Sequence, residues 1–294
     1  MMAKAPGLAS DDRPKTAKKS PKSSPKTSST GSSTSNPKNY VASVGKAFAV
    51  LRSFTSEAFE LTLSEIAARA NLDRGTAFRL IQTLVELGYL QAVPQSRRFR
   101  LGVGCLDLGY TVLSGGTLRA LAEPQLRELA PSVGDAASLG ALDGGDVIYL
   151  ARVSTGLDRH KIDRRPGTRI PAYSAALGHV LLAYLPRDEQ IRSLEARTRI
   201  KLSERTLTDL DALLERLDLV RQQGHAVSDG ENAYGLRTLA APIFGAQGSV
   251  IAGLSVTVDA MRMEMAAFRD QALPQLKRAA ALVQDLAVKS GVSS

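Results

Sequence analysis

Apolar residues recur at helical spacing three times within the first hundred positions, and then give way to alternating, strand-like runs. In "SVGKAFAVLRSF" the positions Val44, Ala47, Phe48, Leu51 and Phe54 fall on one helical face. Residues 63–70 ("LSEIAARA") and 74–87 ("RGTAFRLIQTLVEL") repeat the pattern, with "NLD" between them and Gly88 at a C′-like stop. Ile66, Ala67 and Ala70 form the inner face of the first of these helices, and Ala77, Leu80, Ile81 and Leu84 that of the second. Ala67 and Ala77 are small where two helices crossing over a tight turn bring their backbones together, and Leu72 fills that turn. Asp73 is placed to cap the second helix through the amide near Thr76. "YLQAV" and "RRFRLG" then read as a short hairpin around "PQS".

The rest of the chain predicts a connecting helix in "GVGCLDLGYTVLSGG" and an amphipathic helix in "LRALAEPQLRELAPSV", with Pro124 at its start or at a kink. "AASLGALDGGDVIYLARV" reads as a hairpin around Asp143-Gly144-Gly145, and "LRTLAAPIFGAQGSVIAGLSVTVD" as another. Between them lie a helix in "SAALGHVLLAYL" opened by Ser174, and one in "TDLDALLERLDLVRQQG" capped by Thr208 and closed by Gly224. A long helix over 262–288 ends the pattern. The expected class is α+β: a winged helix-turn-helix at 41–103, a linker helix at 104–118, and a domain with a largely antiparallel sheet at 119–294.

Composition changes this picture at one end. Residues 1–40 hold eight Lys and Arg against two Asp and almost no large apolar side chains, which predicts a disordered basic tail. That tail carries +6 of the total +9, so only +3 belongs to the folded part and global charge says little about nucleic acid. The single Cys105 excludes an intrachain disulfide and a cysteine zinc cluster, and reads as a small packing residue. No apolar run reaches the roughly 20 residues a membrane helix needs, and no secretory signal opens the chain, so the expectation is a cytoplasmic protein without a membrane partner.

Local chemistry says more than net charge. Once the inner face of 74–87 is buried, Arg74, Gly75, Thr76, Phe78, Arg79 and Gln82 remain outward near its N-terminus. Arg suits guanine, Gln suits adenine, Thr suits phosphate or a thymine methyl, and a helix N-terminus favours phosphate. The hairpin behind it carries Arg97, Arg98 and Arg100, as expected of a wing along a phosphate backbone. In the second domain, Tyr173-Ser174-Ala175-Ala176 at a helix start offers amides suited to a carboxylate, and Ser255 and Thr257 share one face of a strand.

On these residues the sequence resembles the IclR family of bacterial transcription regulators, from about 43 to 288. The likeness is carried by "LTLSEIAARANLDRGTAFRLIQTLVELGYL" with its wing, by "IPAYSAALGHVLLA" and by "ENAYGLRTLAAPIF". Through "GDVIYLARV" and "PAYSAALGHVLLA" it looks closest to the branch controlling protocatechuate, 4-hydroxybenzoate and β-ketoadipate catabolism. The resemblance implies a GAF-like effector domain, dimers or tetramers on palindromic operators, and RNA polymerase as a further partner if the protein activates. It also implies a pocket at Ala176, Leu177, Ser228, Thr238, Ser255 and Thr257, with Asp229 beside it. Some relatives have Gly and Ala for Ala176 and Leu177, and Asp or Cys for Ser228 and Thr238, so the expected effector is a small carboxylate, aromatic or dicarboxylic, without a named identity.

No cofactor is expected. His160, His179 and His225 match no zinc pattern, and there is no GxSxG, P-loop or GxGxxG sequence. Asp229 and Glu231 in "SDGENAYG" could suggest acid–base work, but two carboxylates in one loop are more often solvated or capping groups. The alternative to a regulator is a small-molecule enzyme of aromatic-acid metabolism carrying an appended winged helix.

Overall fold

A computed structural model describes residues 39–114, 116–157 and 164–292. The basic tail lies almost wholly outside them. Helices α1 (Ala42–Leu51), α2 (Leu63–Arg69) and α3 (Arg74–Glu86) pack around Val50, Phe54, Ile66, Ile81 and Leu84. The first helix buries only part of the face its spacing predicts, since Leu51 and Phe54 join the core but Val44 and Phe48 do not. Val44 and Phe48 are exposed, while Val50 and Phe54 are buried against the other two helices. Strands β2 (Leu90–Ala92) and β3 (Arg98–Leu101) form the predicted hairpin. A two-residue strand β1 (Leu61–Thr62), too short for any pattern to reveal, pairs with β3 on its other side.

Helix α4 (Gly104–Ser114) follows the wing, and Cys105 Sγ donates to the Tyr89 carbonyl at 3.3 Å. Burial pushes this thiol up from its ordinary value, consistent with a packing role. Helix α5 (Thr117–Val133) contains Pro124 and Pro131 inside it, so Pro124 does not mark its start.

The second sheet has the order β6-β5-β4-β9-β8-β7, and every pairing in it is antiparallel. The hairpin of β4 (Ala136–Asp143) and β5 (Asp146–Ser154) turns at Gly144, whose φ of +61° suits a residue without Cβ. The hairpin of β8 (Leu236–Phe244) and β9 (Val250–Asp259) lies beside it, with β9 pairing to β4 at the centre of the sheet. In this domain β6 (Arg169–Pro171), α7 (Arg187–Glu195) and β7 (Ala226–Asp229) escaped the sequence reading, as β1 did in the first.

Alternation along β9 explains the layering. Leu254, Val256 and Val258 face α5 and the long α9 (Met265–Lys289), where Leu126, Phe268, Leu276 and Val283 are fully or almost fully enclosed. Each such side chain contributes roughly 1.5–3 kcal/mol of hydrophobic stabilisation. The opposite face carries Gly253, Ser255 and Thr257 toward α6 (Ala176–Leu182), with α8 (Leu210–Gln223) behind it in the same cluster. The small Gly140 and Gly253 make room for Leu177, since a Cβ at either would lie within 3.3 Å of its methyls.

Two helix starts differ from expectation. Asp209, not Thr208, caps α8 by accepting from the Ala212 amide at 2.9 Å. Ser174 does not open α6, because residues Ala172–Ser174 form a tight 3₁₀ turn and Ala175 precedes the helix.

Candidate DNA-reading face and ligand cavity

The winged helix-turn-helix is held by local capping. Thr62 and Glu65 exchange bonds at the start of α2, and Asp73 Oδ1 accepts from the Thr76 amide at 2.8 Å at the start of α3. Both carboxylates lie below their ordinary values because backbone amides donate to them. Between the helices Asn71 takes φ +53°, a left-handed turn in which the Leu72 amide donates back to the Ala67 carbonyl at 2.9 Å. Ala77 is fully buried against this turn. Arg74, Gly75, Phe78, Arg79 and Gln82 are exposed along one side of α3, with Thr76 half-buried. These are the six positions expected to face DNA, and the fold brings them together on one surface.

The three wing arginines separate into two kinds. Arg98 donates to the Glu60 carbonyl at 2.9 Å and lies 3.6 Å from Glu65, which ties the wing to α2. Arg100 donates to Gln91 Oε1 across the hairpin at 3.1 Å. Arg97, beside the turn, has no partner among the described residues.

In the second domain a narrow cavity of about 20 Å³ lies between the sheet and α6. Of the positions implied by the resemblance, Ala176, Leu177, Ser228, Thr238, Ser255 and Thr257 all line it, and so does Ala175. Register explains why. Ser228 pairs with Thr238 and Thr238 with Thr257 across β7, β8 and β9, placing their hydroxyls in a row on the α6 face. Thr238 and Thr257 hydroxyls lie 3.0 Å apart.

Tyr173, Ser174 and Asp229 do not line the cavity. Tyr173 is buried, and its hydroxyl donates to the Ile200 carbonyl at 2.8 Å. Asp229 points to the other side of its strand, where it pairs with Arg205 and with Arg237 Nε at 3.0 Å. Ser174 stands one bond away: it donates to the Pro171 carbonyl and accepts from Asn232 Nδ2 at 2.8 Å.

The remaining lining residues are Tyr149, Arg164, Ile170 and Asn232, none of which was expected. Arg164 is only 8% exposed; its Nη2 donates to Asn232 Oδ1 at 2.6 Å and its Nε has no partner among the described residues. A lone arginine on a loop reads as a surface residue in sequence, and only the fold turns it inward. Glu231, next to Asn232, is buried and pairs with Arg216 at 3.1 Å, so it and Asp229 are ion-pair residues on opposite sides rather than an acid–base pair. His179 is fully buried with Nε2 2.7 Å from the Tyr173 carbonyl. Burial lowers its pKa, and the Glu231 charge opposes that shift. Among the described residues, no group of three His, Cys, Asp or Glu is arranged to hold a metal, and no helix is long and apolar enough to cross a membrane.

Residues 43–94 match the IclR helix-turn-helix domain, and residues 110–284 match the domain described as bacterial transcriptional regulator IclR C-terminal. The chain belongs to the IclR family. The regulator KdgR of Escherichia coli is 36% identical over 222 residues, covering 76% of this chain and 84% of KdgR. The p-hydroxybenzoate hydroxylase transcriptional activator of Acinetobacter baylyi is 31% identical over 253 residues, 85% of this chain and 93% of the activator. The crystal structure of a transcriptional regulator from a Rhodococcus species superposes with a TM-score of 0.69 at 37% identity, over 85% of this chain and all of that one. This IclR-family protein is thus a DNA-binding transcriptional regulator and not an enzyme, and the enzyme alternative falls away. Its relatives include regulators of aromatic-acid catabolism.

Proposed function

We propose that this IclR-family protein binds its operator as a homodimer or homotetramer through Arg74–Gln82 and the wing, and that a small carboxylate in the cavity beneath α6 sets its affinity. The observation that carries the effector half is Arg164: a buried guanidinium lines a cavity rich in hydroxyls, and its Nε has no partner among the described residues. A charge-assisted bond to a carboxylate would satisfy that donor. The cavity has room for about one water molecule, so an acid enters only by displacing Leu177, Arg164 or their supports. Occupancy is then coupled to the position of α6 and of the loop bearing Arg164.

The oligomer half rests on exposed apolar surface. Val41, Val44 and Phe48 on and beside α1, and Leu106 and Tyr110 on α4, are all open to solvent in the single chain. Such a run next to a DNA-reading unit supports association of two copies, which would present two α3 helices to successive major grooves. If the protein activates, the bound dimer also contacts RNA polymerase.

The test is a fluorescence-anisotropy titration of an operator selected by the protein from random duplexes, with and without candidate aromatic and dicarboxylic acids. An acid should shift operator affinity by roughly 1–3 kcal/mol. Loss of that shift in Arg164→Gln, with operator binding retained, supports the reading; an unchanged shift sinks it.

A further inference from the structure

Gly75, Phe78, Arg79 and Gln82 stand at i, i+3, i+4 and i+7 along α3 and therefore share one outward face. Arg79 and Gln82 carry hydrogen-bonding groups that suit base edges. Phe78 carries none, and it is the one large apolar side chain of α3 left exposed, with half its surface open. The others, Leu80, Ile81, Leu84 and Val85, turn to the core of the winged unit.

The helix cap keeps bulk away from this ring. One turn before it, Gly75 has no side chain, and a Cβ there would press on Asp73 Oδ1 at 3.3 Å, the atom that caps the helix. Thr76, the other residue of the first turn with a methyl group, is half-buried and bonds to Asp73 through its amide and its hydroxyl. Phe78 is thus the first large apolar group that a duplex lying along this face meets.

A phenyl ring has no charge to offer a phosphate and no hydrogen bond to offer a base edge. The apolar group that the major groove presents is the 5-methyl of thymine. Placed against it, the ring removes apolar surface of both partners from water. Association of two protein copies through the ring would take Arg79 and Gln82, its neighbours on the same face, off the duplex.

We infer that Phe78 reads a thymine in each half-site through its 5-methyl group. The inference rests on the DNA-reading face proposed above and names the base feature that one of its residues recognises. Such recognition separates thymine from uracil, and 5-methylcytosine from cytosine, pairs whose hydrogen-bonding edges are alike.

The experiment uses the full chain and the operator duplex that it selects, with each thymine replaced in turn by deoxyuridine, and reads affinity by anisotropy at fixed salt. One thymine per half-site should lose about fourfold in affinity on replacement, the effect of one buried methyl group. Phe78→Ala should bind the operator more weakly and hold the thymine and uracil duplexes equally. Gln82→Ala, also weaker, should keep the full difference between them. In a duplex with cytosine at that position, 5-methylcytosine should recover about the same factor in the native chain and none in Phe78→Ala. Where Phe78→Ala binds too weakly to measure, the comparison is made at lower salt, where phosphate contacts hold the duplex. No response to uracil at any thymine, or a response that persists in Phe78→Ala, overturns methyl reading by Phe78 and leaves the DNA-reading face standing. Operator binding unchanged in Phe78→Ala, Arg79→Ala and Gln82→Ala alike overturns the face as well.

Discussion

Arg164 donates to Asn232 Oδ1 at 2.6 Å, and the same Asn232 side chain donates to Ser174 Oγ at 2.8 Å. One amide thus joins the buried guanidinium of the cavity to the 3₁₀ turn that leads into α6. A ligand that draws Arg164 toward itself pulls on that turn. Asn232→Ala should therefore keep ligand binding within reach but blunt the effect of ligand on operator affinity. It should also cost about 1–3 kcal/mol of stability, because two buried polar partners lose their bond. Ligand titration by calorimetry beside operator titration by anisotropy separates these effects, and an unaltered operator response would contradict the link.

On the DNA side, Arg79 and Arg98 should behave differently. Arg79 is exposed on α3, and Arg79→Ala should cost about 1–3 kcal/mol of specific binding and relax base preference at one operator position. Arg98 is engaged with Glu60 and Glu65, so Arg98→Ala should chiefly loosen the wing. Arg97→Ala should weaken all duplexes alike and reduce the salt slope by about one unit. A shift assay over a salt series measures all three. A salt slope unmoved by Arg97→Ala would remove that residue from the phosphate contacts.

Gly178 admits no side chain. A Cβ there would lie 2.0 Å from the Ala172 carbonyl oxygen and 2.4 Å from its Cα, both backbone atoms that cannot swing away. Gly178→Ala should destabilise the second domain by about 1–3 kcal/mol or more while sparing the winged helix. Urea unfolding followed by hydrogen exchange in the two regions would show this; uniform stability would refute the tight packing of α6 on the 3₁₀ turn.

His179 gives stability a pH dependence. Burial lowers its pKa below the ordinary 6.5, and the charged groups acting on it are Glu231, which opposes the shift, and Arg216, which adds to it. The folded state therefore binds fewer protons than the unfolded chain below pH 6.5. Stability is intact above that value and falls as the solution is acidified through it. His225 is lowered by burial as well and contributes a dependence of the same sign. Denaturant midpoints between pH 5 and 8 should fall less steeply in His179→Gln than in the native chain; identical slopes would assign the dependence elsewhere.

Much of the fold was legible because its long elements carry strong periods. α3 with Asp73 and Gly88, both large hairpins and α9 all follow from spacing and turn residues. Short elements were not: β1 and β6 have two and three residues, fewer than any alternation needs. The α1 face was only partly read because Leu51 and Phe54 pack inward while Val44 and Phe48 form a stripe that no element among the described residues covers. In the cavity, the hydroxyl row was visible through strand alternation and the family likeness. Arg164 and Asn232 were not, since a charged or amide residue in a loop carries no sequence mark of being folded inward. Asp229 was grouped with the cavity by proximity in sequence, but strand alternation sends it to Arg205 and Arg237.

The most direct test of the central claim is the operator-binding isotherm of the full chain and of Arg164→Gln, each with and without a saturating acid. The account predicts that the acid moves the native isotherm by fivefold or more, a coupling of about 1–3 kcal/mol, and leaves the Arg164→Gln isotherm in place. Equal displacement of both isotherms would contradict it.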